Sequence, residues 1–124
     1  IEIQMKILIT GASGYLGGRI SSFFSSMSKY EIILASRRAV KIPNNFKNIK
    51  VIQINWKDEE SILNACTNID VIIHTAGMNA QDCYINPKEA NNVNGIYTAR
   101  LVENAILNKV KKIIYFSTAH VYNS

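Results

Sequence analysis

Short apolar runs alternate along this chain with segments whose apolar residues recur every three or four positions. The run 6–10 is rich in β-branched residues and ends at a glycine, which predicts a buried parallel strand. From Tyr15 to Ser28 the apolar residues fall at helical spacing and predict the first helix. Runs of the first kind recur and predict four more strands, at residues 31–35, 51–54, 70–74 and 112–117.

Two further helices and two loops lie between these strands. Asp58 is a suitable N-cap for a short helix through Cys66, and a long helix is predicted over residues 88–108. Residues 41–50, with a proline and three asparagines, and the polar residues 78–87 are typical of loops. This alternation predicts an α/β fold, a doubly wound parallel sheet with helices on both faces. Right-handed crossovers then give the strand order 3-2-1-4-5, with a crevice at the carboxyl ends of strands one and four.

Composition narrows the class of protein. Of the 124 residues, 48% are hydrophobic and 19% are charged, which is typical of a globular domain and not of a disordered tail. The net charge of +5 is spread along the chain, so we expect no binding of nucleic acid.

No apolar run reaches the roughly 18 residues of a membrane span, and no secretion signal opens the chain, so we expect a cytoplasmic protein. Cys66 and Cys83 match no metal-binding spacing, and we expect no metal.

The two ends of the sequence are typical of a piece of a longer protein. Met5 directly precedes the first strand and is a candidate for the natural start, although the chain begins with Ile1. The sequence stops at Ser124, soon after strand five and without a closing helix, which indicates truncation there. We therefore expect residues 1–124 to be the N-terminal portion of one domain.

A glycine-rich segment connects the first strand to the first helix. It is TGASGYLG, residues 10–17. Gly11 permits a tight turn, Gly14 lets backbone N–H groups approach a phosphate, and Gly17 lets the helix pack against the strand. The N-terminus of the helix adds unpaired N–H donors and a partial positive charge. The segment therefore predicts a binding site for the pyrophosphate of a dinucleotide.

The order of the motifs resembles the extended short-chain dehydrogenase/reductase superfamily, and within it the NAD-dependent epimerase/dehydratase family. The glycines have the spacing G-x-x-G-x-x-G. DVIIHTAG (70–77) is similar to the family's fourth strand, and NNVNGIYTARLVENA (91–105) to one of its helices. KKIIYFSTAHVY (111–122) resembles its fifth strand, with the signature S-S/T-x-x-V-Y-G. The resemblance covers nearly the whole chain and implies a Rossmann-like NAD(P)-binding domain.

The resemblance also implies which residues contact the dinucleotide. They are Gly11, Ser13, Gly14, Tyr15, Leu16, Gly17, Ser36, Arg37, Arg38, Asn55, Trp56, Thr75, Ala76, Gly77, Asn92 and Ser117. Asn55 and the backbone of Trp56 stand where the family holds the adenine. Ala76 and Gly77 would line the adenosine ribose through their backbone. His74, by contrast, is expected to pack or hydrogen-bond within the sheet.

The end of strand two bears on the choice of cofactor. An acidic side chain there usually holds the 2′-hydroxyl of NAD, whereas a nearby arginine accommodates the 2′-phosphate of NADP. In this chain the position is Ala35-Ser36-Arg37-Arg38, with no carboxylate. Serine can donate to a phosphate, and arginine can bind one bidentately. The sequence favours NADP; NAD stays open, since both arginines could be solvated surface charges.

Catalysis in the resembled family uses a Ser/Thr hydroxyl, a tyrosine acid/base and a lysine that lowers the tyrosine pKa. The resemblance implies Thr118, the second residue of the Ser117-Thr118 pair, as the catalytic hydroxyl. Tyr122 belongs to the strand-five signature, and the catalytic tyrosine and lysine of the family lie some two dozen residues further on. We therefore expect this chain alone to bind cofactor weakly and to catalyse no reaction.

For the full-length protein the resemblance implies an NAD(P)-dependent epimerase or reductase that acts on a nucleotide sugar. Ala119 and His120 stand where dehydratases of sugar nucleotides carry an Asp-Glu pair, which argues against a dehydratase. Two alternatives stay open: a non-catalytic NAD(P)-sensing regulator, and a reductase of a non-sugar carbonyl. A Tyr-x-x-x-Lys pair after Ser124 would favour an enzyme over the sensor. Helix 88–108 resembles a helix through which family members dimerise, so a homodimer is also implied.

Overall fold

Five strands and three helices lie in the part of the chain that the computed structural model describes, residues 4–11, 15–27, 29–38, 48–75, 88 and 95–116. The strands are β1 Met5–Thr10, β2 Tyr30–Ser36, β3 Ile49–Gln53, β4 Val71–His74 and β5 Lys112–Tyr115. The helices are α1 Tyr15–Ser25, α2 Glu59–Ala65 and α3 Tyr97–Leu107. Their alternation is that of a doubly wound α/β fold, as the sequence predicts.

The strands form one parallel sheet in the order β3-β2-β1-β4-β5, which confirms the predicted topology. β1 lies at the centre, with Ile7 in register with Ile32 of β2 and with Val71 of β4. The strand that follows β1 in sequence, β2, lies on one side of β1 in the sheet, and the strand that follows β4, β5, lies on the opposite side of the sheet. The point where the order reverses is where open α/β sheets bind ligands.

Alternate residues of each strand feed two hydrophobic cores, one on each face of the sheet. Leu8 and Ile72 pack on one face with Ile62 of α2 and Leu101 of α3, and all four are fully buried. The opposite face is built on Ile7, Ile9, Ile32, Leu34, Ile49 and Ile73, with Ile20 and Phe24 of α1 packed against it. A sheet that is buried on both faces explains why its strands are almost continuously apolar.

Strand three begins earlier than the sequence predicts. Ile49 and Lys50, assigned to the loop 41–50, belong to β3, which ends at Gln53 instead of residue 54. Ile49 is buried in the second core, whereas the exposed Lys50 pairs with Glu31 of β2, Nζ to Oε1 3.1 Å. The cross-strand ion pair allows a charged residue to continue a strand that the loop-like composition appeared to exclude.

The other element boundaries differ little from prediction. α1 ends at Ser25 and not at Ser28, because Met27 N–H donates to the carbonyl of Phe24 and the chain turns. Asp58 is the N-cap of α2, as predicted, and its Oδ1 accepts from Glu60 N at 3.1 Å. α3 lies within predicted helix 88–108 and ends at Leu107, one residue before the predicted end, and β5 ends at Tyr115, two residues before the predicted end. None of the helices within the described ranges is long and apolar enough to cross a bilayer.

Candidate functional site

Two glycines allow the backbone to pack very closely at the carboxyl end of β1. Gly11 has φ +75°, a left-handed conformation that favours glycine. A Cβ on Gly11 would lie 2.6 Å from Oγ1 and 2.7 Å from the carbonyl oxygen of Thr75. A Cβ on Gly17 would overlap the carbonyl oxygen of Gly11 and lie 3.0 Å from the same Oγ1. Any side chain at either position would push Gly11 or Gly17 away from Thr75 at the end of β4.

Helix α1 begins at Tyr15, four residues after Gly11, and carries no acidic residue in its first turn. Its N-terminal N–H groups and the positive end of its dipole therefore meet no competing carboxylate of the helix itself. A glycine turn followed by a helix N-terminus suits an anionic group that approaches the backbone closely. These features fit the pyrophosphate of a dinucleotide.

A cleft of about 500 Å³ opens at the carboxyl ends of β2 and β3. The described residues that line it are Arg37, Gln53, Ile54, Asn55, Trp56, Lys57 and Tyr97. Arg37, Asn55 and Trp56 are predicted cofactor residues, and the structure brings them together in this cleft. The sequence reasoning missed the other four, which are Gln53, Ile54, Lys57 and Tyr97. Gln53 could have been found from the parallel register, since it pairs with Ser36.

Asn55 and Trp56 hold the cleft in shape by different means. Ser61 Oγ of α2 accepts from Asn55 N at 3.0 Å, and Asn55 Oδ1 accepts from Lys57 N at 3.1 Å. The amide oxygen of Asn55 keeps a second lone pair for a ligand. The Trp56 side chain is only 3% exposed and stacks on Tyr97, with ring centroids 6.1 Å apart and an interplanar angle of 16°. Trp56 therefore offers a ligand its backbone and little of its indole ring.

The turn after β2 presents its two arginines differently. Ser36 is buried, and its Oγ accepts from Arg38 N at 3.2 Å. Gln53 Nε2 donates to the carbonyl oxygen of Arg37 at 3.1 Å, which fixes the backbone that carries the Arg37 side chain. Both guanidinium-bearing residues are exposed, but Arg38 is absent from the described lining of the cleft. The geometry thus distinguishes Arg37 from Arg38, which the sequence could not do.

His74 lies inside the protein between the sheet and α3. Its Nδ1 is 2.7 Å from Thr10 Oγ1, and its Nε2 is 2.9 Å from Thr98 Oγ1. Burial lowers the pKa of His74 to about 4, so the ring is neutral at pH 7. The expectation that His74 packs and hydrogen-bonds within the fold is confirmed.

Several predicted site residues lie outside the described residues. They are Ser13, Gly14, Ala76, Gly77, Asn92, Ser117 and Thr118. Tyr15 and Leu16 are described by their backbone, as the first residues of α1. Within the described ranges no group of three His, Cys, Asp or Glu side chains could hold a metal ion.

The chain contains one Tyr-x-x-x-Lys sequence, from Tyr84 to Lys88, which has the spacing of the family's catalytic pair. Pro87 lies between them and disfavours the single helical turn that would align the two side chains. The pair also comes before strand five, whereas the catalytic pair of the resembled family comes after it. Tyr84 lies outside the described residues.

Comparison with known proteins agrees with this geometry. UDP-glucose 4-epimerase of Rickettsia typhi is 28% identical to the chain, which covers 37% of that protein's length and is itself covered to 94%. Uronate dehydrogenase from Agrobacterium tumefaciens has a similar fold, with 24% identity and a TM-score of 0.79 over 94% of this chain and 42% of that one. UDP-N-acetylglucosamine 4-epimerase from Methanobrevibacter ruminantium M1 gives a TM-score of 0.81 at 18% identity, over 98% of this chain and 40% of that one.

The chain thus spans well under half the length of the curated relatives it matches. The model of the NAD dependent epimerase/dehydratase family matches residues 7–124, nearly the whole sequence. With its parallel sheet and its glycine turn at the end of β1, the chain belongs to the NAD dependent epimerase/dehydratase family.

Proposed function

We propose that the full-length protein is an NADP(H)-dependent epimerase or reductase of a nucleotide sugar, and that this chain is the N-terminal portion of its nucleotide-binding domain. The cofactor would supply hydride transfer at its nicotinamide ring. The chain's own residues would bind the pyrophosphate at the glycine turn and the adenosine end in the cleft. Family membership and the fit of the glycine turn support this proposal.

The observation that carries the preference for NADP is the charge of the cleft. Arg37 lines it directly after β2, and Lys57 lines it after β3. No carboxylate is found among the described lining residues, although an acidic side chain at the end of β2 is the usual partner of the NAD 2′-hydroxyl. Two cations without a carboxylate favour a 2′-phosphate over a 2′-hydroxyl.

The proposed substrate class rests on the relatives. The Rickettsia typhi relative is a UDP-glucose 4-epimerase, and a structure of similar fold, of 21% identity, is that of MoeE5 in complex with UDP-glucose and NAD. Thr118 would contribute the hydroxyl that orients the substrate, and Ser117 and Asn92 would lie beside the cofactor. The tyrosine and lysine would come from residues after Ser124, so this chain alone would turn over no substrate.

The experiment uses the full-length protein and calorimetric titration with NADP⁺ and NAD⁺. We expect NADP⁺ to bind at least about tenfold more tightly, which corresponds to about 1.4 kcal/mol. Equal affinities would refute the cofactor preference. Incubation with UDP-glucose and other UDP-sugars should then show interconversion of epimers, or a change of nicotinamide absorbance. Tight dinucleotide binding without turnover of any tested sugar would favour the sensing regulator instead.

We also propose that the full-length protein is a homodimer formed through α3. This helix exposes Val102, Ile106 and Leu107, the last two to 70% and 73%. Burial of such apolar side chains against a partner subunit would lower the free energy of the protein. Light scattering should give the mass of a dimer, and Ile106→Lys should shift it to a monomer. A monomeric wild type would refute the proposal.

A further inference from the structure

A continuous path of hydrogen bonds links the glycine turn to helix α3 through the interior. Thr75 N–H donates to Thr10 Oγ1 at 3.0 Å, and the Thr75 hydroxyl donates back to the carbonyl oxygen of Thr10. Thr10 Oγ1 lies 2.7 Å from His74 Nδ1, and His74 Nε2 lies 2.9 Å from Thr98 Oγ1. The path therefore joins the end of β1, the end of β4 and the first turn of α3.

Which atom donates and which accepts along this path can be worked out from the backbone N–H of Thr75, which can only act as a donor. Thr75 N–H can only donate, so Thr10 Oγ1 accepts there and has its own hydrogen to give. Thr10 Oγ1 has a second lone pair and could also accept from a protonated Nδ1, but its own buried hydrogen would then meet no acceptor among the described residues. We therefore assign the hydrogen bond as one from Thr10 Oγ1 to a bare His74 Nδ1. In a neutral imidazole the hydrogen is consequently on Nε2, which donates to Thr98 Oγ1. Thr10 and His74 are 0% and 2% exposed, so water does not compete for these atoms.

At one end of this path, Thr75 packs closely against Gly11 and Gly17. Thr75 Oγ1, oriented by its bond to the Thr10 carbonyl, is the atom that a Cβ on Gly11 or Gly17 would meet at 2.6 and 3.0 Å. A shift of Thr10 would move Thr75, and the turn rests on Thr75. The placement of Gly11 and of Gly17, in the first turn of α1, against the end of β4 therefore depends on where Thr10 Oγ1 is held.

We propose that His74 is a positioning residue for dinucleotide binding: its Nδ1 accepts from Thr10 and thereby fixes the Thr10–Thr75 contact on which the glycine turn rests. This inference rests on the proposed function, because it assumes that the turn binds a pyrophosphate. His74 contacts no ligand in this scheme and takes no part in proton transfer. Its Nε2 side, towards Thr98, holds α3 and does not affect the phosphates.

The two ring nitrogens can be replaced separately. An asparagine places an amide oxygen near the position of Nδ1 and can still accept from Thr10, whereas a glutamine places an amide nitrogen near Nε2 and can still donate to Thr98. His74→Asn should therefore retain binding of NADP⁺, and His74→Gln should weaken it about tenfold, as expected for the loss of one buried hydrogen bond. Thr10→Val, which is nearly isosteric, should weaken it to the same degree.

Thr98→Val is the matched control in the full-length protein. It removes the other end of the path and should lower the melting temperature without changing the affinity for NADP⁺. Adenosine 2′-phosphate, which lacks the pyrophosphate, should bind to all four variants as it binds to wild type. A variant that had merely lost its fold would lose this ligand too, so the second probe separates positioning from unfolding.

The tautomer gives a readout that is independent of any ligand. In ¹⁵N spectra of the full-length protein at neutral pH, the His74 signals, assigned by their loss in His74→Asn, should show a bare Nδ1 and a protonated Nε2. The opposite tautomer would overturn the inference, as would equal NADP⁺ affinity in wild type, His74→Gln and Thr10→Val. In that second case the proposed function would stand, whereas a wild type that bound no dinucleotide would refute both.

Discussion

The hydroxyl of Thr75 donates to the carbonyl oxygen of Thr10, and this hydroxyl oxygen, Thr75 Oγ1, lies 2.6 Å from where a Cβ on Gly11 would stand. The contact ties the carboxyl end of β4 to that of β1, the two strands at which the sheet order reverses. Strand ends that are already joined by hydrogen bonds need not be ordered when a ligand binds beside them, which lowers the entropic cost of binding.

Gly11→Ala should destabilise the full-length protein and abolish dinucleotide binding. The alanine would have to adopt φ +75° and would collide with Thr75, so we expect a loss of at least about 2 kcal/mol in the free energy of unfolding. Urea titration measures it. Gly18→Ala, on the exposed side of α1, is the control and should be neutral or stabilising by up to about 1 kcal/mol. Equal stability of Gly11→Ala and wild type would show that the turn tolerates a side chain.

Arg37→Asp should reverse the preference between the two cofactors. The carboxylate would repel a 2′-phosphate and could accept from a 2′-hydroxyl, so NADP⁺ binding should weaken by about 10- to 100-fold while NAD⁺ binding holds or improves. Arg38→Asp adds the same charge one residue further along, outside the described lining of the cleft, and should change the ratio by much less. Identical ratios for the two variants would mean that only net charge matters.

The buried His74 should make stability depend on pH. Its pKa falls from the ordinary value of 6.5 to about 4 because burial disfavours the charged form. Below pH 6.5 the unfolded chain takes up a proton that the folded chain does not, so the free energy of unfolding falls until about pH 4 and then levels off. The full effect is roughly 3 kcal/mol.

Urea titrations between about pH 7 and about pH 4 would measure this effect as the difference between wild type and His74→Asn, since other groups titrate equally in both. The asparagine variant has no imidazole to protonate. Its free energy of unfolding should therefore rise relative to that of wild type as the pH falls. A difference that stays constant over this range would contradict the assignment of His74 as a buried neutral base.

Cys66 should resist alkylation in the native protein. Its side chain is fully buried in the first core, and burial raises the pKa of the thiol to about 11, so almost no thiolate exists at neutral pH. With Cys83→Ser as background, iodoacetamide should label Cys66 only after addition of denaturant. Rapid labelling of the folded protein would indicate that α2 opens locally.

The topology could be predicted because each strand is a run of apolar residues long enough to be buried on both faces. The alternation of Ile7, Leu8 and Ile9 between two cores needs no more than the two-residue period of a strand. The N-cap at Asp58 could also be predicted from neighbouring residues alone, because a carboxylate can accept a hydrogen bond from the backbone N–H two residues later at the start of a helix.

The cleft was less predictable because its walls come from distant parts of the chain. Tyr97 lies on the buried side of α3, where a sequence pattern shows an apolar position but not which strand end it faces. Lys57 precedes α2 and resembles any exposed lysine until the fold places it near Arg37. The Thr10–His74–Thr98 contacts join residues 64 and 24 positions apart, and a short-range periodicity cannot reveal such pairs.

Trp56 is the single tryptophan of this sequence, and it stands against Tyr97 in the wall of the cleft. This part of the domain therefore carries an optical reporter at the place where the adenosine half of a dinucleotide would sit. Indole emission responds to the polarity and to the quenching groups around the ring, so filling the cleft should alter its intensity without any attached dye. A simple fluorimeter could then follow occupancy in real time, even in variants that convert no sugar.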